Sequence, residues 1–198
     1  MKVAVTVLFL ALSICACAQS SSITPAPDTA RDTVSGPGFT LTLPPNVEMD
    51  IRPTNDLAFG INLSETTHGH EWDHVPPRFI GFATQWTSDA GSLDAVIQRM
   101  TSDVESLIPP ELVGDGTIRL DSTFPAKLGD LPARRLVIDF KGKKNKPSVR
   151  QIIVAYRARP DASAVVYIAS LTTTRVDFPQ DLNLFAKLLA GFKLTPIE

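Results

Sequence analysis

Three consecutive β-strands are predicted in the second half of the chain, and they constrain the fold more than any other stretch. β-branched and aromatic residues dominate residues 133–140, 149–157 and 164–172, as they do in strands. The connections between them, residues 141–147 and 160–163, hold turn-forming residues and are too short for the crossover that a parallel pair needs. The sequence therefore predicts an antiparallel meander at the centre of a sheet.

Apolar residues lie on both faces of this predicted meander. In the first strand Leu136 and Ile138 share one face while Val137 lies on the other, and the next two strands show the same mixture. A sheet with one face in water would alternate cleanly between apolar and polar residues. We therefore expect a helix layer on each face, which makes the predicted fold class α+β: an α/β/α sandwich around a central antiparallel sheet.

Two helices are available to form these layers. The first begins at the N-cap residue Ser92, continues in an apolar stripe at helical spacing to Leu107 and ends at Pro109-Pro110, since proline cannot continue a helix. The second begins near Pro179 and ends at Gly191, the expected C-terminal cap. Further strands are predicted over residues 39–43, 47–51, 57–63, 79–86 and 117–124.

The first 18 residues are typical of a secretion signal, with Lys2 before a short apolar run and small residues after it. Ile14-Cys15-Ala16-Cys17 resembles a bacterial lipobox and predicts lipidation of Cys17, although cleavage after Ala18 as in an ordinary signal is the alternative. Residues 19–37, rich in Ser, Thr and Pro, are predicted to be a disordered tether. We expect a single domain over residues 38–198, of typical size and without a disulfide.

The composition argues against a nucleic-acid partner. The chain carries 19 basic and 21 acidic residues, a formal net charge of −2. Loss of Lys2 with the signal leaves 18 basic against 21 acidic residues, or −3. Proteins that bind nucleic acid usually carry a strong basic excess.

Several local patterns, taken in order, resemble one superfamily. They are Phe39-Thr40-Leu41-Thr42-Leu43-Pro44, the Ser92 helix, Gly129-Asp130-Leu131-Pro132-Ala133-Arg134-Arg135-Leu136, and the closing Gly191-Phe192-Lys193-Leu194. This order resembles the superfamily of PsbP, Mog1 and the DcrB- and LpqN-like bacterial lipoproteins over nearly all of residues 39–194. The resemblance implies an α/β/α sandwich and mostly non-catalytic work, as photosystem II accessory subunits, a small-GTPase partner or envelope lipoproteins. It implies no shared catalytic motif.

All three histidines of the chain fall within residues 68–74, inside a long polar loop over residues 64–78. His68, His70, His74 and Glu71 are the candidate ligands of a divalent metal, with Asp73 as a further carboxylate. Residues 70–74 also match the H-E-x-x-H pattern of zinc peptidases. That mechanism requires a helix, and the flanking Gly69 and Pro76-Pro77 disfavour one. A solvated polar loop whose Trp72 packs on the sheet edge is the simpler interpretation.

Charged residues near the meander have structural interpretations. The four lysines of the first hairpin, Lys141, Lys143, Lys144 and Lys146, are typical of a solvated turn, with an anionic phosphate or lipid headgroup as the alternative partner. Arg134 and Arg135 point to opposite faces of a strand. The one on the covered face is predicted to pair with Asp139 or Asp121.

The sequence favours an exported protein that acts by binding. No nucleophile elbow, phosphate loop or dinucleotide fingerprint is present. We therefore predict a non-catalytic accessory module of the bacterial cell envelope, lipid-anchored or soluble, that docks another envelope protein through a sheet edge or a loop. The alternatives are binding of a small ligand or divalent metal through residues 68–74 and, more remotely, a zinc-dependent hydrolase. No catalytic residue and no other cofactor is predicted.

Overall fold

The computed structural model describes residues 33–44, 50–55, 58–63, 78–88, 91–160 and 163–196, with the backbone alone for 50–55 and 58. Within these ranges the chain forms ten strands and two α-helices. The strands are β1 (Thr33–Gly36), β2 (Phe39–Thr42), β3 (Asp50–Asn55), β4 (Ala58–Asn62), β5 (Phe79–Thr87), β6 (Arg119–Leu128), β7 (Leu131–Lys141), β8 (Pro147–Ala158), β9 (Ala164–Thr174) and β10 (Phe192–Leu194). The helices are α1 (Leu93–Ser102) and α2 (Phe178–Ala190).

The main sheet has seven antiparallel strands in the order β3-β4-β5-β9-β8-β7-β6. Strand β9 occupies the middle position, with β8 and β7 beside it, so the predicted meander does form the centre of the sheet. Each of its strands is longer than predicted, because the hairpins close more tightly. The first is closed by a short 3-10 turn, Lys143–Asn145, where Lys144 and Asn145 adopt positive φ of 60° and 55°.

Both faces of the main sheet are covered, as the two-faced apolar pattern predicts. On one face, Phe185 and Leu188 of α2 are fully buried against the sheet. On the other, Ile97 and Met100 of α1 pack with the 3-10 turns Glu105–Leu107 and Pro110–Leu112. We call these the α2 face and the α1 face. The predicted α/β/α sandwich is confirmed.

A second, three-stranded sheet lies on the α2 face, in the order β1-β2-β10. It corrects two predictions: residues 39–43 were expected in the main sheet, and the tether was expected to extend to residue 37. Instead Thr33–Gly36 pairs with β2 through a Pro37-Gly38 turn in which Gly38 has φ of 77°, typical of a type II turn. Strand β1 is short and polar and has no alternation of apolar residues. Its sequence is therefore typical of a linker.

Helix α1 begins as predicted and ends early. The Ser92 hydroxyl accepts a hydrogen bond from the Ala95 amide at 3.2 Å, which satisfies one of the free amides of the first turn. The helix ends at Ser102 rather than continuing to Leu107, because the Thr101 and Ser102 hydroxyls bond back to carbonyls of the preceding turn. Leu107 is still buried, but on a separate 3-10 turn.

Helix α2 ends at Gly191, as predicted, for a reason that the sequence does not reveal. Gly191 has an ordinary right-handed conformation, with φ of −85°, so it is not needed for a left-handed cap. A β-carbon there would instead lie 2.2 Å from the Thr42 carbonyl oxygen. The close contact allows the Thr42 amide to donate to the Gly191 carbonyl at 3.0 Å, which attaches the small sheet to the end of α2.

Candidate functional site

An exposed tryptophan marks one end of the main sheet on the α2 face. Trp86 is the second-to-last residue of strand β5 and is 44% exposed. Four segments converge around it: the end of β5, the β8–β9 hairpin, the β1–β2 turn and the residues after β10. We call the surface formed by Trp86, Arg157, Arg159 and Thr195 the Trp86 patch.

The arginines of this patch are held in place by specific contacts. The guanidinium carbon of Arg159 lies 4.7 Å from the centre of the Trp86 ring, a cation–π distance. Arg157 lies on β8, two strands from Trp86 in the same row of the sheet, and donates to the Thr195 carbonyl at 3.4 Å. The patch therefore joins an exposed ring to two cations whose positions are fixed by the fold.

Hydrogen bonds fix the residues beneath the Trp86 patch. Thr84 precedes Trp86 on the same face of β5 and donates to the Pro37 carbonyl at 3.0 Å, while the Thr195 amide donates to the Gly38 carbonyl at 2.9 Å. Tyr167 is buried below, 1% exposed. Burial raises the pKa of its hydroxyl above 10.0, while the positive charge of Arg157 acts in the opposite direction. Tyr167 is therefore neutral at physiological pH.

A second aromatic–arginine pair lies four strands away on the outermost strand β6. Phe124 is 42% exposed, and the guanidinium of Arg135 lies 4.8 Å from its ring centre. The two residues are direct partners across β6 and β7. This pair resembles Trp86 and Arg159 in exposure and distance. It lacks the convergent loops and the second arginine that surround Trp86.

The outer strands of the main sheet are poorly suited to pairing with another strand. Strand β3 carries Pro53 and a register irregularity beside it. Strand β6 carries Pro125 and a register shift at Asp121. Prolines and bulges on outer strands interrupt the row of backbone donors and acceptors that an incoming strand would use. Of the two predicted docking modes, docking through the side chains of a loop-lined patch fits these strands better than docking along an open sheet edge.

The opposite end of the α2 face holds a buried ion pair. The Arg78 guanidinium donates to both Asp181 carboxylate oxygens, at 3.1 and 2.8 Å, and Asp181 is only 3% exposed. Asp181 also accepts from the Thr173 hydroxyl. The pair ties the start of β5 to the first turn of α2 and the end of β9. Because each group is satisfied within the cluster, its role is structural.

Arg134 lies on the α1 face and is paired with a carboxylate, as predicted, but the partner is Asp94 of α1, to which it donates at 3.1 Å, and not Asp139 or Asp121. Arg135 stacks on Phe124. Asp139 instead pairs with Arg119 and Arg175, since Arg119 is its direct partner on the neighbouring strand. The four lysines predicted at the first hairpin are all exposed.

The predicted metal ligands His68, His70, His74 and Glu71, and the predicted lipidation site Cys17, lie outside the described residues. Among the residues that the structure does describe, no group of three His, Cys, Asp or Glu side chains could hold a metal ion. The metal site at residues 68–74 stays a prediction. In the described part of the chain, no helix has the length and apolar character needed to cross a bilayer.

Comparison with known proteins gives a likeness in fold. No protein-family model matches the chain, and no curated protein matches it. Among solved structures, LpqN, which is involved in cell envelope biogenesis of Mycobacterium tuberculosis, is 14% identical over 83% of this chain and 90% of its own, with a TM-score of 0.54.

Two further structures are similar at lower scores. The Saccharomyces cerevisiae Ran-binding protein Mog1p is 13% identical over 79% of this chain and 90% of its own, with a TM-score of 0.45. The PsbP protein of Synechocystis sp. PCC 6803 is 11% identical over 87% and 98%, with a TM-score of 0.44. The resemblance predicted from the order of sequence patterns is confirmed, as a likeness in fold.

Sequence reasoning missed the Trp86 patch. From the sequence, Trp86 is only the last residue of a predicted strand. The available signal was a tryptophan at that strand end, together with Arg157 and Arg159 just before a predicted hairpin. What the sequence could not supply was the pairing of β5 with β9, which places these distant segments side by side.

Proposed function

We propose that this chain is a non-catalytic accessory protein of the bacterial cell envelope, anchored through a lipid on Cys17, that binds another envelope protein through the Trp86 patch. The observation that carries the proposal is the exposed Trp86 ring with the Arg159 guanidinium stacked on it. Tryptophan and arginine are over-represented among the residues that dominate binding energy at protein interfaces. The partner surface would combine an apolar contact with carboxylates.

The rigidity of the patch supports this function. A side chain that is mobile before binding loses entropy on docking, at a cost of about 0.5–1.5 kcal/mol. Arg159 is already stacked, and Arg157 is already bonded to the Thr195 carbonyl. Two positive charges beside one apolar ring also favour an acidic partner, since complementary charge speeds association and selects against basic surfaces.

The envelope location is supported by independent considerations. The signal-like first 18 residues predict export, and the lipobox-like sequence around Cys17 predicts the anchor. The likeness in fold to LpqN, which is involved in cell envelope biogenesis, is compatible with this location. In the proposal, the residues between Cys17 and β1 connect the lipid to the domain.

The test is chemical cross-linking of the full-length protein in intact cells. Wild-type protein should give a discrete adduct with one envelope protein, and Trp86→Ala should reduce that adduct at least about tenfold, because loss of a central interface tryptophan costs about 2 kcal/mol. Phe124→Ala is the matched control. It removes an equally exposed, arginine-stacked ring four strands away and should leave the adduct unchanged.

A charge reversal tests the chemistry of the partner. Arg159→Glu should weaken the adduct as strongly as Trp86→Ala if the partner surface is acidic. Equal losses in the Trp86→Ala and Phe124→Ala variants, or no loss in either, would contradict docking at this patch. Circular dichroism of each purified variant separates a binding defect from a folding defect.

A further inference from the structure

Lysines cluster at one end of the main sheet. Lys141, Lys143, Lys144 and Lys146 lie in and beside the turn between β7 and β8, and each is exposed. Removing these four from the 19 basic residues of the chain leaves 15 against 21 acidic residues, or −6. A charge of +4 is therefore concentrated on one hairpin of an otherwise acidic chain.

Neighbouring segments hold this hairpin in place. Lys141 and Pro147 are direct partners across β7 and β8. The Lys141 carbonyl accepts from the Gly114 amide at 2.8 Å, and the Pro147 carbonyl accepts from the Arg175 amide at 2.9 Å. The hairpin is therefore bonded to a neighbouring segment on each side, and the lysines between these bonds are carried on a fixed backbone.

An exposed aliphatic side chain lies beside the hairpin. Val176, in the turn between β9 and α2, is 90% exposed, and no other large apolar side chain of the described residues is exposed to the same extent. Because the Arg175 amide is bonded to the Pro147 carbonyl, Val176 and Lys146 each lie one residue from the same hydrogen bond. The fold therefore brings an apolar side chain and several cations to one end of the sheet.

The carboxylates at this end of the sheet are engaged or lie to one side. Asp139 is paired with Arg175, and Asp177 accepts a hydrogen bond from a threonine hydroxyl at 2.6 Å. Asp115 is exposed, on the segment bonded to Lys141. Within the described part of the chain, no ion pair involves a lysine. The charges of the other three hairpin lysines are therefore available to a partner outside the chain.

We propose that Lys143, Lys144, Lys146 and Val176 form a membrane-contact surface that binds anionic lipid headgroups. A basic residue near an anionic lipid surface strengthens binding by about fivefold, and an apolar side chain beside it can enter the boundary between headgroups and acyl chains. Protein interfaces, in contrast, are enriched in arginine and depleted in lysine. A cluster of lysines beside an exposed valine therefore favours a lipid surface over an acidic protein.

The position of this surface suits a protein that also docks a partner. The pairing of β5, β9 and β8 places Trp86 at one end of the main sheet and the lysine hairpin at the other. With the lysines against the headgroups, the Trp86 patch would face away from the bilayer. The membrane contact goes beyond the proposed docking function, and it requires neither that function nor a lipid on Cys17.

The test is co-sedimentation of the full-length protein with vesicles that contain phosphatidylglycerol in phosphatidylcholine, or phosphatidylcholine alone. Every protein carries Cys17→Ser, which prevents lipidation at that residue. Binding should be at least about tenfold tighter to the anionic vesicles, and 1 M salt should remove the difference, because it shortens the Debye length to about 3 Å. Replacing Lys143, Lys144 and Lys146 together by Gln should weaken binding to anionic vesicles at least about tenfold, and Val176→Ser should weaken it about threefold.

Lys127→Gln is the matched control for Lys146→Gln. Both lysines are exposed, but Lys127 lies beyond the other end of β7, about 33 Å or several Debye lengths away. Lys146→Gln should weaken binding about fivefold, and Lys127→Gln should stay within about twofold of the parent. Equal losses in these two variants, or equal binding of the parent to both kinds of vesicle, would overturn the proposal. Release from anionic vesicles by inorganic phosphate at constant ionic strength would overturn the assignment to a membrane surface.

Discussion

The two faces of the main sheet differ in how completely they are sealed. On the α2 face, six aromatic rings pack together with centroid distances of 5.0 to 6.5 Å, and the covering residues Phe185 and Leu188 are 0% exposed. On the α1 face, Ile97 and Met100 of the covering helix are each 9% exposed, and glycines occupy the β4–β5 region. The covering helix is therefore more completely buried on the α2 face than on the α1 face.

The same contrast holds for the charged groups. The α2 face buries Asp181 with Arg78 as its direct partner. On the α1 face, Arg150 donates side-chain hydrogen bonds only to hydroxyl groups within the described structure. A buried charge that is paired stabilises the arrangement around it, whereas a buried cation without a counter-ion is costly. Four substitutions test these two contrasts.

The largest effect is expected from the aromatic cluster. Phe82 is 1% exposed and contacts the rings of Phe39, Phe59, Phe185 and Phe192. Phe82→Ala should lower the free energy of unfolding by about 4 kcal/mol, because it removes buried surface and leaves a cavity that rigid rings cannot fill. Urea denaturation monitored by circular dichroism measures this difference.

The matched substitution on the other face is Met100→Ala. Met100 is 9% exposed and lies on α1, a helix of ten residues, which can shift to fill part of the space. We expect a loss of about 2 kcal/mol. Equal losses for the two variants would show that the faces contribute equally to stability and would remove the basis of the contrast.

The sequence predicted the layers of this molecule better than its sites. The meander, the cover on both faces and the Ser92 cap follow from local periodicity and capping chemistry, which act over a few residues. The small sheet was missed because β1 is polar and β10 has three residues. The Trp86 patch depends on long-range register, since the pairing of β5 with β9 places its segments side by side, and no local pattern encodes register.

A smaller loss is expected from the buried ion pair. Asp181→Asn removes the charge that compensates Arg78 and should lower the free energy of unfolding by about 2 kcal/mol, less than for a fully buried pair because the Arg78 side chain is 20% exposed. Asp121→Asn is the control. Its pair with Arg119 is exposed and should matter by no more than about 0.5 kcal/mol. A loss below 0.5 kcal/mol for Asp181→Asn would show that the pair does not hold α2 to the sheet.

The smallest effect is expected from Arg150→Met, although Arg150 is also a charged residue in the sheet. The substitution removes the cost of a desolvated cation but leaves the Ser170 and Thr172 hydroxyls without that donor, and these opposing terms should keep the change in unfolding free energy within about 1 kcal/mol at pH 7. The pH dependence of the unfolding free energy shows the sign of the contribution from Arg150. Because burial lowers the pKa of Arg150 to about 10 in the folded chain, below its value in the unfolded chain, the unfolded state binds the proton more tightly. The contribution of Arg150 to the unfolding free energy therefore rises as the pH increases above about 10 and is constant well below that pH.

Wild-type protein should gain stability relative to Arg150→Met as the pH rises from 9 to 11, which urea denaturation at each pH measures. If Arg150→Met instead loses as much stability at pH 7 as Asp181→Asn, Arg150 acts as a structural link between β8 and β9.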